Sequence, residues 1–194
     1  MEEVDLGVCR GRFFDGDGDG RTALVLPGAH YLPGFPLLWF AREALQQQGW
    51  NVLEVWDEVA GDEDGRAWVE ARANAALVHT ADAEERMIVA KSVSSFAAAL
   101  PATRDLPAIW LTPLLNFDEI VTALRSRSGP NLLVGGTEDD PHWISQVARQ
   151  LPRTEVLEID GGDHGLQIPG EPLATLEALR RVVQSVGRFA ARPG

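Results

Sequence analysis

Short apolar runs recur along the chain at 22–26, 51–56, 86–90, 108–112, 131–134 and 155–159, each with the length and the β-branched, leucine or tryptophan content of a strand. Between them, apolar residues fall at helical spacing over 36–48, 63–81, 92–100, 117–127, 141–151 and 171–191. The strand segments are continuously apolar, as in Ala23-Leu24-Val25-Leu26 and Met87-Ile88-Val89-Ala90, and do not alternate with polar residues. A strand of that kind is covered on both faces. Alternating such strands with helices predicts a mostly parallel, twisted α/β sheet with helices on both faces and ligands bound beyond the carboxyl ends of the strands. The stretch before residue 22 adds one or two strands. No internal repeat, low-complexity linker or insertion of lid-domain size interrupts the pattern, so the 194 residues are expected to form one domain.

Charge narrows the partners. A net charge of −12 repels phosphate backbones and anionic lipid, so neither nucleic acid nor a membrane surface is expected. No run of about 18 apolar residues occurs, and Met1-Glu2-Glu3-Val4-Asp5 is acidic where a signal peptide is basic, which predicts a cytoplasmic protein. The one cysteine, Cys9, forms no internal disulfide and reads as a small core residue. The run Asp15-Gly16-Asp17-Gly18-Asp19-Gly20 begins like a calcium loop, but its twelfth position is Leu26 in an apolar strand, leaving a solvated turn. The histidines are scattered, without the short paired spacing of zinc or iron sites, so no metal and no cofactor are expected.

Three loops that follow predicted strands carry chemistry. In the first, Ala90-Lys91-Ser92-Val93-Ser94 passes from an apolar strand into an alanine-rich helix. A sharp turn there lifts the Ser92 hydroxyl above the sheet and frees N–H groups at the helix start for an oxyanion. In the second, Gly135-Gly136-Thr137-Glu138-Asp139-Asp140 presents carboxylates before a helix predicted near Pro141. Asp140 is placed to cap that helix. In the third, His164 sits among glycines in Gly161-Gly162-Asp163-His164-Gly165 after the last strand. A serine needs an imidazole to take its proton, and the imidazole needs a carboxylate to fix its tautomer. His79 lies in a helical stretch, His142 lies near the acid loop and either lines the pocket or does nothing, and His30 adjoins the first turn. Lys91 is the only lysine, and functional and structural readings of it stand level.

With these motifs, nearly the whole chain from about Thr22 resembles the α/β-hydrolase superfamily, and within it the small, lidless, dienelactone-hydrolase-like members. The resemblance rests on Leu24-Val25-Leu26-Pro27-Gly28-Ala29-His30 as an oxyanion loop, Ala90-Lys91-Ser92-Val93-Ser94 as the nucleophile turn, Gly136-Thr137-Glu138-Asp139 as the acid turn and Gly162-Asp163-His164 as the histidine loop. It implies Ser92 as nucleophile, Asp139 as acid, His164 as base, and the backbone N–H groups of Ala29 and Val93 as oxyanion donors. The expected activity is esterase-like hydrolysis of a small acyl substrate through an acyl-enzyme. His30, Tyr31, Trp110, Leu114 and Trp143 are candidate walls of the substrate site. The chain departs from the Gly-x-Ser-x-Gly pattern at both glycines, which become Ala90 and Ser94 and bring a Cβ into a tight turn. That departure keeps open a non-catalytic binding module on the same scaffold, and the same residues would also serve an acyltransferase that passes the acyl group to an alcohol or amine instead of water.

Overall fold

The computed structural model describes residues 1–16, 20–59 and 63–192. Eight strands form one sheet: β1 (Glu2–Asp5), β2 (Arg10–Phe14), β3 (Arg21–Leu26), β4 (Asn51–Trp56), β5 (Glu85–Lys91), β6 (Ala108–Leu111), β7 (Asn131–Gly136) and β8 (Thr154–Ile159). Their order is β1-β2-β4-β3-β5-β6-β7-β8. The two N-terminal strands run antiparallel, β1 on β2 and β2 on β4, and the remaining pairs are parallel. Each apolar run of the sequence is a strand here, with ends moved by a residue or two.

Among the described residues, five α-helices cover the sheet: α1 (Pro36–Gln47), α2 (Gly65–His79), α3 (Asp118–Ser126), α4 (Ser145–Gln150) and α5 (Pro172–Ala190). Proline at the first turn starts α1 and α5, where its missing N–H is no loss. Asp64 caps α2 by accepting the Arg66 N–H at 3.0 Å. The continuous apolar strands face two separate cores. Ala23, Val25, Val89 and Leu111 pack with α1 and α5, while Leu24, Ile88, Ala90 and Trp110 pack with α2, α3 and α4.

Two helical segments differ from the sequence pattern. The 92–100 segment is a 3₁₀ helix, Ser92–Ala99, followed by a short second one, Pro101–Thr103. Ser95 Oγ donates to the Ser92 carbonyl at 2.6 Å, the acceptor that an α-turn would offer the Phe96 N–H. The helix predicted from Pro141 starts at Ser145, with Ile144 before its first turn. Asp140 therefore caps nothing, and His142 belongs to the preceding loop. Of the Asp15–Gly20 run, positions 17–19 lie outside the described residues, while the Gly16 N–H donates to Asn51 Oδ1 at 2.8 Å. No described helix is long and apolar enough to cross a membrane.

Candidate active site

β5 lies between β3 and β6, and its carboxyl end is the centre of the site. Directly after Lys91 the chain turns at Ser92, whose φ of 55° is left-handed and costs a residue with a Cβ roughly 1–2 kcal/mol. The 3₁₀ helix starting there holds the turn in place. At the two positions where the resemblance calls for glycine, the residues present fit. Ala90 is buried in the core, and Ser94 Oγ donates to the Pro27 carbonyl at 2.5 Å, tying the serine turn to the loop after β3. The close approach is instead at Gly28, where an added Cβ would stand 3.0 Å from Tyr31 Cβ, a tight contact, and 3.6 Å from Ser92 Cβ.

The acid and histidine loops meet backbone to backbone. Glu138 N–H donates to the Gly162 carbonyl at 2.9 Å, and a Cβ on Gly136 would lie 2.0 Å from that oxygen. The histidine loop closes on itself, with Asp163 Oδ1 accepting the N–H groups of Gly165 at 2.7 Å and Gln167 at 2.9 Å. These contacts deliver His164 between the other two groups. Its Nδ1 lies 2.8 and 2.9 Å from the two oxygens of the buried Asp139 carboxyl, and its Nε2 lies 2.7 Å from Ser92 Oγ. A carboxylate only accepts, so Nδ1 carries the proton, Nε2 is the free lone pair and the Ser92 hydroxyl donates to it. Asp139 is 3% exposed and Asp140 faces solvent, which separates the two adjacent candidates. Ser92 is itself 8% exposed, while 38% of the His164 side chain is open to solvent.

Two backbone N–H groups adjoin the serine. Gly28 and Tyr31 exchange N–H···O bonds of 3.0 and 3.3 Å, making a tight turn with Ala29 and His30 at its tip. The Ala29 N–H has no acceptor among the described residues. The Val93 N–H lies in the first turn of the 3₁₀ helix, where helix donors have no intrahelical partner.

The candidate walls divide. His30 is exposed and Tyr31 half-buried at the mouth, where the Tyr31 hydroxyl accepts the Leu37 N–H at 3.0 Å. Burial raises the Tyr31 phenol above its ordinary range, with that bond opposing. Trp110 and Trp143 are not walls. Trp110 is fully buried in the core with its Nε1–H on Asn131 Oδ1 at 2.9 Å. Trp143 packs its ring against Gly135 and donates to Glu158 Oε2 at 2.8 Å. An indole that points into the core and has its N–H satisfied there is a packing residue. Leu114 is buried as well.

His142 does lie beside the site, with its ring centroid 5.0 Å from that of His164. Its Nδ1 donates to Asn116 Oδ1 at 3.1 Å, and burial, followed by the charge of His164, lowers its pKa from the ordinary imidazole value. Sequence reasoning left His142 open and missed Asn116 and Thr112, which carry no motif and are placed by the loops after β6. Asp139, His142 and His164 each offer a donor atom within 4.8 Å of the others. Both His164 nitrogens are committed to Asp139 and Ser92, so a cation would have to break that line, and no ligand set is assigned.

No protein-family model matches the chain, and no curated protein matches it in sequence. Solved structures do match its fold. Est1E from Butyrivibrio proteoclasticus, in a structure with ferulic acid bound, is 13% identical with a TM-score of 0.74 over 97% of each chain. A dienelactone hydrolase from Anabaena variabilis is 20% identical with a TM-score of 0.69, over 97% of this chain and 94% of its own. An alpha-beta serine hydrolase homologue from Coxiella burnetii is 13% identical with a TM-score of 0.71 over 95% of each chain. With its sheet order and helices on both faces, this chain has the α/β-hydrolase fold.

Proposed function

We propose that the protein is a serine hydrolase that cleaves a small ester or related acyl substrate. The observation that carries this reading is the unbroken line of hydrogen bonds from Ser92 Oγ through His164 to the buried Asp139, starting from a serine in a strained turn. Strain of that kind clusters at functional sites. His164 Nε2 takes the hydroxyl proton as Ser92 Oγ bonds to the substrate carbonyl carbon, and Asp139 holds the imidazolium that forms. The N–H groups of Ala29 and Val93 receive the oxyanion. The C–O bond to the leaving alcohol breaks as His164 returns the proton to it. Water then repeats the sequence on the acyl-enzyme and releases the acid. The similarity in fold to Est1E, solved with ferulic acid, and to a dienelactone hydrolase supports an acyl substrate, and the open His164 face supports one small enough to need no lid.

A fluorophosphonate probe tests this directly. The adduct is expected on Ser92 and is expected to vanish in Ser92→Ala; well-folded protein that takes no label would turn the reading to a binding module. Hydrolysis and acyl transfer to an alcohol are then separated by the products formed in mixed solvent.

A further inference from the structure

The proton relay above makes no use of Lys91, the only lysine of the chain, yet Lys91 is 1% exposed and adjacent to the nucleophile. A buried ammonium is costly unless its hydrogens are taken up, and a methionine would fill similar space without that penalty. The Nζ donates to Thr112 Oγ1 at 2.5 Å, just beyond the end of β6, and to the backbone carbonyl of His164 at 3.0 Å. Thr112 is itself held at a left-handed φ of 44°. The Lys91 stem faces Gly28, where an added Cβ would meet its Cγ at 3.3 Å, and the Nζ stands 5.2 Å from the centroid of the Tyr31 ring. One side chain thus joins the serine strand, its neighbouring strand, the turn with the free Ala29 N–H and the histidine loop.

We propose that Lys91 is a positioning residue whose charged ammonium clamps the His164 backbone to Thr112, aiming the imidazole at Ser92, and whose loss of charge loosens that aim. The inference rests on the serine-hydrolase reading. Charged donors make hydrogen bonds about twice as strong as neutral ones, so deprotonation weakens the clamp without removing it. Burial brings Lys91 down to about 8, against the pull of Asp139 and then Asp163. The other titratable groups near it are the imidazoles of His164 and His142 and the Tyr31 phenol, the last raised by burial. Loss of charge at Lys91 therefore falls in a range where activity can be followed.

The test is the rate of fluorophosphonate labelling at Ser92 as a function of pH. Wild type is expected to slow about fivefold between about pH 7 and about pH 10, with its midpoint near the Lys91 titration. Lys91→Met, which removes the clamp altogether, is expected to label at or below the slower rate throughout, without the alkaline fall, and Lys91→Arg, which keeps its charge, to recover the faster rate across the range. An alkaline fall that survives in Lys91→Met overturns the proposal. Because the chain has one lysine, isotope-labelled lysine gives a single side-chain signal whose titration is read in the wild-type protein. A labelling rate that does not track that signal, or an Nζ that stays charged to about pH 10, overturns the proposal even where neither variant folds. Wild type that takes no label at any pH is a different failure, that of the serine-hydrolase reading itself.

Discussion

Two cations are buried at opposite ends of the same sheet, and their surroundings differ. At the amino end, Arg127 donates from Nε to Asn131 Oδ1 at 2.8 Å, from Nη1 to the Thr103 carbonyl at 2.8 Å and from Nη2 to the Leu106 carbonyl at 2.5 Å. Its guanidinium lies 5.1 Å from the Trp110 ring centroid. Every acceptor is neutral: the arginine fork fastens the end of the 3₁₀ helix at Thr103, the loop before β6 at Leu106 and the start of β7 at Asn131. At the carboxyl end, Lys91 has fewer acceptors, and around it stand Asp139, Asp163, two histidines and a serine. Of the four non-glycine residues with positive φ among those described, Ser92, Thr112 and Leu166 lie in the loops at this end and only Arg153 at the other. Burial of charge alone does not mark a functional site; burial of charge among strained backbone and titratable groups does.

If that contrast is right, substitutions at the carboxyl end should cost reactivity and those at the amino end should cost stability. The largest effect is expected from Asp139→Asn. An amide can present its N–H₂ to Nδ1 and reverse the imidazole tautomer, removing the lone pair that receives the Ser92 proton, so labelling of Ser92 should fall by up to about 10⁴ with little change in unfolding midpoint. Arg127→Met should do the opposite. It leaves the Leu106 carbonyl without a donor, while the Thr103 carbonyl keeps the Leu106 N–H and Asn131 Oδ1 keeps the Trp110 indole N–H, so the urea midpoint should drop by the equivalent of about 1–3 kcal/mol while folded protein labels at nearly the wild-type rate. A comparable loss of labelling in Arg127→Met would erase the distinction between the two ends.

Gly136→Ala tests how tightly the acid and histidine loops are set against each other. The added Cβ meets the Gly162 carbonyl oxygen at 2.0 Å, and since that obstacle is backbone, one loop must move. A displacement of about 1 Å between Asp139 and His164 is expected to cost about 10² in labelling rate, measured on protein shown by circular dichroism to be folded. Unchanged labelling would mean that the two loops shift together and that their close approach is packing only.

What was legible in the sequence follows the same division between backbone pattern and side-chain direction. β5 and Ser92 could be read because a continuously apolar strand ends in small residues, and His164 and Asp139 because glycines mark the loops that let two backbones touch. The helix predicted from Pro141 failed because the proline at a helix-start position belongs to a turn that tucks Trp143 against Gly135, leaving the helix to start at Ser145. Trp110 and Trp143 were misplaced as walls for a related reason: near a strand end, the face an indole takes depends on acceptors such as Asn131 and Glu158, which lie far along the chain. Lys91 had to stay undecided, since the sequence puts it beside Ser92 but does not show that Thr112 and the His164 carbonyl converge on it.

The smallest expected effect separates the two consequences of burying Lys91. In the unfolded chain this lysine keeps its proton to about 10.5, whereas in the folded protein burial brings it to about 8. Between those values the unfolded state binds more protons, so this group makes folding more favourable as pH rises, by about 2 kcal/mol from about pH 8 to about pH 10. Cys9 works against it over the same range. Burial, followed by the charge of Asp57, pushes its thiol from 9.0 up to about 11, so there the folded state binds more protons and loses stability with rising pH. Wild type and Lys91→Met share Cys9, so the difference between their urea-unfolding free energies isolates the lysine. Wild type should gain about 2 kcal/mol on the variant as pH goes from about 8 to about 10. Over the same interval its labelling should slow, so the contribution of Lys91 to stability rises while reactivity falls. A stability difference that stays constant would show that Lys91 titrates alike in the folded and unfolded chain, and that the cost of burying its charge at this end of the sheet is met by Thr112, the His164 carbonyl and the two aspartates.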